Sequence, residues 1–468
     1  MSLRLASPEP EARPAVGGAP SGMSRRRALG GLAAAAAPAT ALLLGACGQE
    51  TPSPGAAASG RSGDMTGTFT FSVQNFQPTI NIIERAIPAF QKQHPGVTIK
   101  YTPVEFSAMA AKVVQEISAG SGHDGFHTYT GFWRGTDAAN VMLPLTPVLF
   151  KKADLEQMFF PNVLGAVWSK RAETYIMPFA VGVNGSMHLW NNELTQRDGV
   201  DPKTFTTLDQ IAQGAVKLTR KSGTDWQQAG LLPNSHTNLI MRWIIDQGGK
   251  FYDEKTFKWT WQTPEAERAV QWLVDLYDKH GVAWKQAPPE IKDALGEQRA
   301  ATIINGAFSI SGYATSHKDT FPKLVDQPLP GFVPGKAPNY YEHEYSGYAL
   351  SSLLKTDDMR ARVGAAFYRE LLSPDSLIAR ANEYSGAILA KAVYADPRFK
   401  DTTFGPIRAK LPDQVISRMQ FMTMAVRPEE AQAYLNKIIA GETSLKSALA
   451  EMQQFFQTKE DDARQNMR

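Results

Sequence analysis

The chain has 468 residues, with 49 lysines and arginines, 46 aspartates and glutamates, and one cysteine. The excess of basic charge lies within residues 1–46, which hold five arginines and two glutamates and leave the rest of the chain with 44 charges of each sign. A neutral body without a basic stripe excludes a nucleic-acid partner, and a lone cysteine excludes an intramolecular disulfide. Chains of this length exceed a single core, so two lobes are expected.

The N-terminal stretch has the pattern of an export signal. Ser24-Arg25-Arg26-Arg27 precedes an alanine- and leucine-rich run and resembles a twin-arginine signal, and Leu44-Gly45-Ala46-Cys47 resembles a lipobox, where the cysteine is lipidated. We therefore predict that residues 1–46 are removed and that Cys47, with a flexible tether over 47–67, anchors the protein to the outer face of the cell membrane. The alternative is a retained transmembrane helix, because residues 30–46 carry no charge.

Apolar periodicity predicts the first elements of the folded body. The pattern predicts a strand over 68–73, a helix over 80–93, a strand over 97–101 and a helix over 106–118. This order is typical of a parallel α/β unit. The runs Thr206-Thr207-Leu208-Asp209 and Thr263-Pro264-Glu265 are helix start signals. They predict helices over 208–219 and 266–279. Residues 300–304 are predicted to be a buried strand, 332–348 mostly loop, and 357–373 and 428–456 largely helix.

Six segments in order resemble the extracellular solute-binding proteins of ABC importers, the sugar-type class that includes maltose-binding protein. They are PAFQKQHPGVTIKY with AKVVQEISAGSGHDGFH, ANVMLPLTPVL, RAETYIMPFAVGVNGSMHLWNNEL, DGVDPKTFTTLDQIAQGAVKL, GEQRAATIINGAF, and AAFYRELLSPDS with IIAGETSLKSALAEMQQFF. The resemblance spans residues 68–460. It implies an α/β fold of two lobes (the type II periplasmic-binding-protein fold), each a mixed sheet flanked by helices, with the ligand cleft between them.

The resemblance also implies a division of the chain and a function. Lobe 1 would take residues 68–178 and 344–391, and lobe 2 residues 179–343 and 392–468. Such a protein would be a monomer without catalytic activity, cofactor or metal, capturing a mono- or oligosaccharide by hinge closure and delivering it to a membrane permease. The alternatives are a secreted carbohydrate-active enzyme, for which Glu342 and Glu344 offer paired carboxyls, and a same-fold binder of a peptide, polyol or metal.

Ligand-binding candidates are the aromatic and polar side chains that follow predicted strands or lie at crossovers, because ligands bind beyond the carboxyl ends of strands in open α/β sheets. Flat aromatic rings cover sugar faces, and polar groups satisfy hydroxyls. The candidates are Gln74, Asn75, Tyr129, Trp133, Asn184, Trp243, Phe308, Tyr313, Tyr345, Ser346 and Tyr384. No cluster of arginine and lysine occurs in these loops, which favours a neutral sugar or polyol over an anion.

Two positions depart from the family pattern. Phe308 stands where the family has a stacking tryptophan, and the segment 385–389 lacks the family's proline. Among the candidates, Trp243 is included through the resemblance alone, since its helix also carries the apolar Ile240 and Ile244. These departures concern the layout of the sugar site and leave the expected fold unchanged.

Overall fold

The computed structural model describes residues 65–129, 136, 139–146, 149–169, 173–174, 176–181, 187–234, 236–253, 255–336, 340–342, 345–405, 415–417 and 428–466. All of them fall in one compact unit, Ala56–Arg468. The export signal, Cys47, Trp133, Asn184 and Glu344 therefore lie outside the described residues.

The described strands form two main sheets and three short ribbons. The strands are β1 Gly67–Gln74, β2 Val97–Val104, β3 Gly125–Tyr129, β4 Met142–Leu143, β5 Trp168–Ser169, β6 Glu173–Thr174, β7 Ile176–Val181, β8 Met187–Asn191, β9 Arg220–Ser222, β10 Asp225–Pro233, β11 Tyr252–Asp253, β12 Lys258–Trp259, β13 Ala300–Asn305, β14 Leu324–Pro328, β15 Tyr340–Glu342, β16 Tyr345–Ser351, β17 Ala387–Ile388 and β18 Val415–Ser417.

Helices cover both main sheets. The α-helices are α1 Gln77–Gln93, α2 Phe106–Ser118, α3 Lys152–Met158, α4 Pro161–Val167, α5 Asn192–Arg197, α6 Leu208–Leu218, α7 His236–Asp246, α8 Pro264–Asp278, α9 Ser309–Ser316, α10 Asp358–Glu370, α11 Pro374–Glu383, α12 Ala392–Ala395, α13 Gln432–Ala440 and α14 Leu445–Asn466. Short 3-10 helices cover Pro202–Thr204, Phe321–Lys323, Ser352–Thr356, Pro397–Asp401 and Pro428–Ala431. None of the described helices combines the length and the apolar character that a membrane span requires.

The first sheet has the order β17-β7-β16-β3-β1-β2, with β4 beside β16. Strand β1 runs parallel to β2 and β3, whereas β16 runs antiparallel to β3 and β7. The predicted strand, helix, strand, helix opening is confirmed by β1, α1, β2 and α2. Helix α1 begins three residues earlier than predicted because Pro78 occupies its first turn, where a missing backbone N–H costs nothing.

The second sheet has the order β14-β8-β13-β10-β9. Its helices begin at the predicted start signals. The Thr207 hydroxyl accepts from the Gln210 amide as part of a capping box that opens α6, and the Thr263 hydroxyl accepts from the Ala266 amide at the start of α8. Buried strands β8 and β13 share one apolar core with the first sheet, while α6, α7, α8, α13 and α14 enclose a second core.

The prediction of mostly loop over 332–348 is wrong at its C-terminal end, because β16 begins at Tyr345 and is buried along its whole length. Gly347 allows this strand to sit so close to β7, since a Cβ at this position would overlap Ile176 and the Met177 carbonyl oxygen. Tyr345 also suits the strand, because tyrosine is enriched in β-strands. Gly347 is therefore a close-packing residue in a central strand.

Helix α7 carries a fully buried ion pair. The Arg242 guanidinium lies 3.5 Å from the Asp246 carboxylate, and both side chains are almost completely buried. Arg242 also donates to the Leu329 and Pro330 carbonyl oxygens, and Asp246 accepts from the Phe332 amide. This network holds the segment that follows β14 against the helix.

The C-terminal helix α14 is hydrogen-bonded to the β11–β12 ribbon. The side-chain carbonyls of Gln453 and Gln457 accept from the backbone amides of Trp261 and Trp259, each at 3.1 Å. Glu460 accepts from the Tyr252 hydroxyl at 3.1 Å. These three side chains lie along one helix face, so the last described helix satisfies backbone groups about two hundred residues earlier in the chain.

Candidate ligand-binding site

Three of the predicted residues meet at one edge of the first sheet. Gln74 ends β1 and Tyr129 ends β3, and Ser346 is the register partner of Tyr129 on the antiparallel β16. The Tyr129 hydroxyl donates to the Gln74 side-chain carbonyl. The ring of Phe106 packs edge-on against Tyr129 at 5.1 Å between centroids. The carboxyl ends of the parallel strands thus gather here, as the strand-end rule predicts.

The neighbouring polar candidates have partners within the protein. The Asn75 amide is exposed and donates to Glu105 at 2.7 Å. The Ser346 hydroxyl is buried and donates to the Ala180 carbonyl oxygen at 3.3 Å. Each group has hydrogen-bonding capacity beyond this one bond, because the Asn75 amide has a second N–H and a carbonyl oxygen and the Ser346 oxygen can also accept.

Tyr384 lies at the end of α11, beside the same edge. Its ring packs edge-on against Phe76 with centroids 6.1 Å apart. The turn that follows leads into β17, whose Ala387 pairs with Val181 on β7, which in turn pairs with Tyr345. Tyr384 therefore precedes the edge strand β17, which is separated from the β3 strand of Tyr129 by β7 and β16.

Phe308 and Tyr313 come from the second sheet. Phe308 follows β13, precedes α9 and is half-buried, and Tyr313 lies within α9 with its hydroxyl 3.2 Å from the Asp293 carboxylate. Burial, followed by the negative charge of Asp293, raises the pKa of Tyr313 well above its ordinary range. Tyr313 therefore stays neutral at physiological pH and donates to Asp293.

One hydrogen bond joins these two groups of residues. The Ser311 amide of α9 donates to the Ser385 hydroxyl at 2.9 Å, and both groups are buried. Ser385 directly follows Tyr384, and Ser311 lies three residues after Phe308. The structure thus brings the segment after β13 of the second sheet against the turn after α11 of the first.

Two predicted aromatic residues lie in packing cores. Trp243 is 0 % exposed and packs edge-on against Trp272 at 4.9 Å, with Phe332 on another side at 5.7 Å. Tyr345 is 1 % exposed on the central strand β16. Neither ring has an open face for a sugar, because both are enclosed by neighbouring side chains. The expected ligand contact of Trp243 therefore does not fit this position. Its helix is buried on nearly all sides, which makes the tryptophan a core residue.

Sequence reasoning missed a buried polar cluster under this edge, formed by His127, Tyr348 and Arg380. The His127 and Tyr348 rings stack at 5.0 Å, and the Arg380 guanidinium carbon lies 2.9 Å from the centre of the Phe179 ring. Burial, followed by the charge of Arg380, lowers the pKa of His127 to about 3. A signal existed in the sequence, since Arg380 shares the buried face of α11 with Leu377 and Ala381.

The remaining alternatives concerned metals and catalytic carboxyls. Across the part of the chain that the structure describes, no group of three or more His, Cys, Asp or Glu side chains is placed to hold a metal ion. His123 lies 3.9 Å from the Glu116 carboxylate and is hydrogen-bonded to the Thr102 hydroxyl at 2.9 Å. The backbone of Glu342 pairs with Ser417 on β18, and Glu344 lies outside the described residues.

Comparison with known proteins adds to this geometry. The chain is 21 % identical over 283 residues to the arabinooligosaccharide-binding protein of Halalkalibacterium halodurans, which covers 57 % of this chain and 59 % of the relative. Among solved structures it resembles the GacH receptor of Streptomyces glaucescens, crystallised unliganded and with acarbose, at a TM-score of 0.70 and 20 % identity, over 85 % of this chain and all of the receptor.

A second solved structure gives the same fold. The maltose/maltodextrin-binding domain of Bdellovibrio bacteriovorus, bound to maltotriose, matches at a TM-score of 0.67 and 18 % identity, over 84 % of this chain and 99 % of that domain. The predicted two-lobed binding-protein fold is thereby confirmed. The model of the bacterial extracellular solute-binding protein family matches residues 76–376, more than half of the chain. The chain therefore belongs to the bacterial extracellular solute-binding proteins, which are binding proteins rather than enzymes and which act outside the cytoplasm.

Proposed function

We propose that this protein is the substrate-binding component of an ABC importer and that its ligand is a mono- or oligosaccharide. One observation carries the proposal: side chains suited to a sugar lie on segments that adjoin two different sheets, and the hydrogen bond between Ser311 and Ser385 joins these segments. Phe308 and Tyr384 supply aromatic faces, and Gln74 and Tyr129 supply paired polar groups. The ligands named for the arabinooligosaccharide-binding protein and for the acarbose and maltotriose complexes support this class.

The mechanism follows from that arrangement. A ligand that contacts both sheets binds the closed form better than the open one, so it shifts the population towards closure without any chemical step. The closed form is then the one presented to the permease. The protein would work as a monomer, with lobe 1 over residues 68–178 and 344–391 and lobe 2 over residues 179–343 and 392–468.

The test is a thermal-shift screen of the purified protein against neutral sugars, oligosaccharides, polyols, amino acids, peptides and divalent metals. A ligand present at about 100 times its Kd stabilises the folded state by ~2.7 kcal/mol. We expect this shift for a sugar and not for amino acids. A shift produced only by peptides or only by metals would show that the sugar proposal is wrong and identify another ligand class for the same fold.

We also propose that residues 1–46 are a twin-arginine-type export signal and that Cys47 is lipidated, which keeps the protein near its permease. Cys47→Ser should then move the protein from the membrane fraction into the soluble fraction or the medium, because one lipidated cysteine carries the anchor. Ser53→Ala, a change within the same tether, is the control and should stay with the membrane. Membrane retention of Cys47→Ser at the level of the unmodified protein would favour a retained helix over residues 30–46.

A further inference from the structure

Arg380 is a buried cation without a hydrogen-bond partner at two of its nitrogens. Its side chain is 1 % exposed, and Nε and Nη2 have no partner in the described part of the chain. Its contacts are the Phe179 ring at 2.9 Å and the Tyr384 ring at 6.0 Å. The nearest acid on its own helix, Glu383, forms an ion pair with Arg85, and neither of its buried carboxylate oxygens has a hydrogen-bond partner in the described part of the chain. Burial lowers the pKa of Arg380 to about 9, so the side chain is still a cation at neutral pH.

A second buried arginine in the same protein shows what a structural role looks like. Arg242 is equally buried, but it has a carboxylate partner in Asp246 and donates to two backbone carbonyl oxygens. For Arg380, no carboxylate pairs with the guanidinium among the described residues, and its Nε and Nη2 have no acceptor there. An isolated buried charge is costly unless it is paired. Among the described residues, the comparison therefore leaves Arg380 without the acceptors that give Arg242 its structural role.

The groups beside Arg380 are also donors. The backbone amide of Gln74 donates to His127 Nδ1 at 3.4 Å. The single proton of the neutral imidazole is therefore on Nε2. His127 Nε2 and the Tyr348 hydroxyl are buried and have no partner within the described ranges. Burial raises the pKa of Tyr348 far above its ordinary range, so its hydroxyl keeps its proton. The cluster of His127, Tyr348 and Arg380 thus offers N–H and O–H donors, and its one acceptor is the neutral Tyr348 oxygen, so it contains no anionic partner for Arg380.

We propose that this donor cluster binds the carboxylate of an acidic saccharide, such as a uronic acid unit. The inference rests on the proposed function and narrows its ligand class. The planar guanidinium fork matches a carboxylate. One cation balances the single charge of a carboxylate better than the larger charge of a phosphate. The predicted binding loops contain no cluster of arginine and lysine, which favours a neutral ligand at those loops. Arg380 is not in a loop but on helix α11, where it supplies one positive charge.

Access to the cluster follows from the contact between the two sheets. Tyr384 lies over Arg380 on the turn whose Ser385 hydroxyl accepts from Ser311. Movement of α9 away from the turn breaks this hydrogen bond and frees the turn. The acidic unit enters next to Gln74 and Tyr129 in the open form, and closure then buries it against Arg380.

The experiment compares matched neutral and acidic sugars by calorimetric titration of the purified protein. The pairs are glucose with glucuronate, galactose with galacturonate, and the corresponding disaccharides. We expect the acid of at least one pair to bind 10-fold or more tightly than its neutral partner. Arg380→Met should abolish that preference and Arg380→Lys should keep part of it. Arg362→Met, which removes a half-exposed arginine paired with Asp358, is the control and should keep all of it.

Two further readouts separate a binding role from a structural one. Affinity for the acid should fall as pH rises above about 9, where free Arg380 loses its proton, and affinity for a neutral sugar should not. The unliganded Arg380→Met protein should melt at a higher temperature, because an unpaired buried charge is replaced by an apolar side chain. A clear loss of melting temperature in Arg380→Met would assign Arg380 to the core and overturn the inference.

The outcomes distinguish this inference from the proposed function. If neutral sugars bind equally well to the unmodified protein and to Arg380→Met and no acid is preferred, the carboxylate site is disproved while the sugar-binding function stands. If amino acids or other simple carboxylates bind through Arg380 and no sugar binds, the sugar-binding function fails and the acidic-saccharide inference fails with it.

Discussion

Asp246→Ala is expected to lower the free energy of unfolding by about 3–5 kcal/mol, because it leaves the Arg242 guanidinium as an unpaired buried charge. Both side chains are almost fully buried, so water cannot replace the lost carboxylate. The change also removes the acceptor for the Phe332 amide at 3.2 Å. Urea denaturation followed by tryptophan fluorescence measures the effect, since Trp243 lies one residue from Arg242.

Glu116→Ala is the matched control for this prediction. Lys112 and Glu116 form an ion pair with the same spacing and the same order of charges as Arg242 and Asp246, but on an exposed helix face. Its loss should cost less than about 1 kcal/mol. Similar effects of the two substitutions would contradict the view that burial makes the Arg242 pair essential to the fold.

Phe308→Ala is expected to weaken the binding of the sugar ligand by roughly 30-fold, or about 2 kcal/mol, because truncation removes a central aromatic contact. The ring is half-buried, so one part of it is free for a ligand while another part packs on the core. Calorimetric titration gives the affinity, and the melting temperature shows whether the variant is folded. Phe308→Trp should keep the binding that Phe308→Ala loses, since the larger ring also offers a flat face to the sugar.

Trp243→Phe provides the opposite comparison. This substitution changes a fully buried ring within α7. It should lower the stability of the protein, because the smaller phenylalanine ring leaves a cavity in the core. The affinity of the folded protein for the sugar should not change. If Trp243→Phe weakened the binding of the sugar and Phe308→Ala did not, the ligand would lie on the α7 side of the second sheet and the site described above would be wrong.

The sequence predicted the α/β opening because short strands and helices there follow regular apolar spacing. Phe69, Phe71 and Val73 alternate along β1, and Ile83, Ile87 and Phe90 lie along one face of α1. The helix starts at Thr207 and Thr263 were predictable for a local reason, since a side-chain cap needs only residues within the same turn.

Other features depend on contacts between distant segments and could not be read locally. Strand β16 was hidden because Gly347 looks like a turn residue until its contact with β7 is known. Trp243 resembles a site aromatic until the rings of Trp272 and Phe332 enclose it. The role of Arg380 could not be predicted from its neighbours in the sequence, because its closest ring contact is with Phe179, about two hundred residues away, and its unpartnered Nε and Nη2 are visible only in the folded chain.

The attachment of α14 to the β11–β12 ribbon has a consequence for biosynthesis. Residues 252–261 emerge from the ribosome about two hundred residues before Gln453, Gln457 and Glu460, which satisfy their polar groups. During that interval Trp259 and Trp261 have no Phe456 to cover them, although they pack against it in the finished protein at 4.4 and 5.4 Å. The second core thus closes only after α14 has been synthesised, and until then the nascent chain carries tryptophans without their Phe456 cover, which a chaperone could shield.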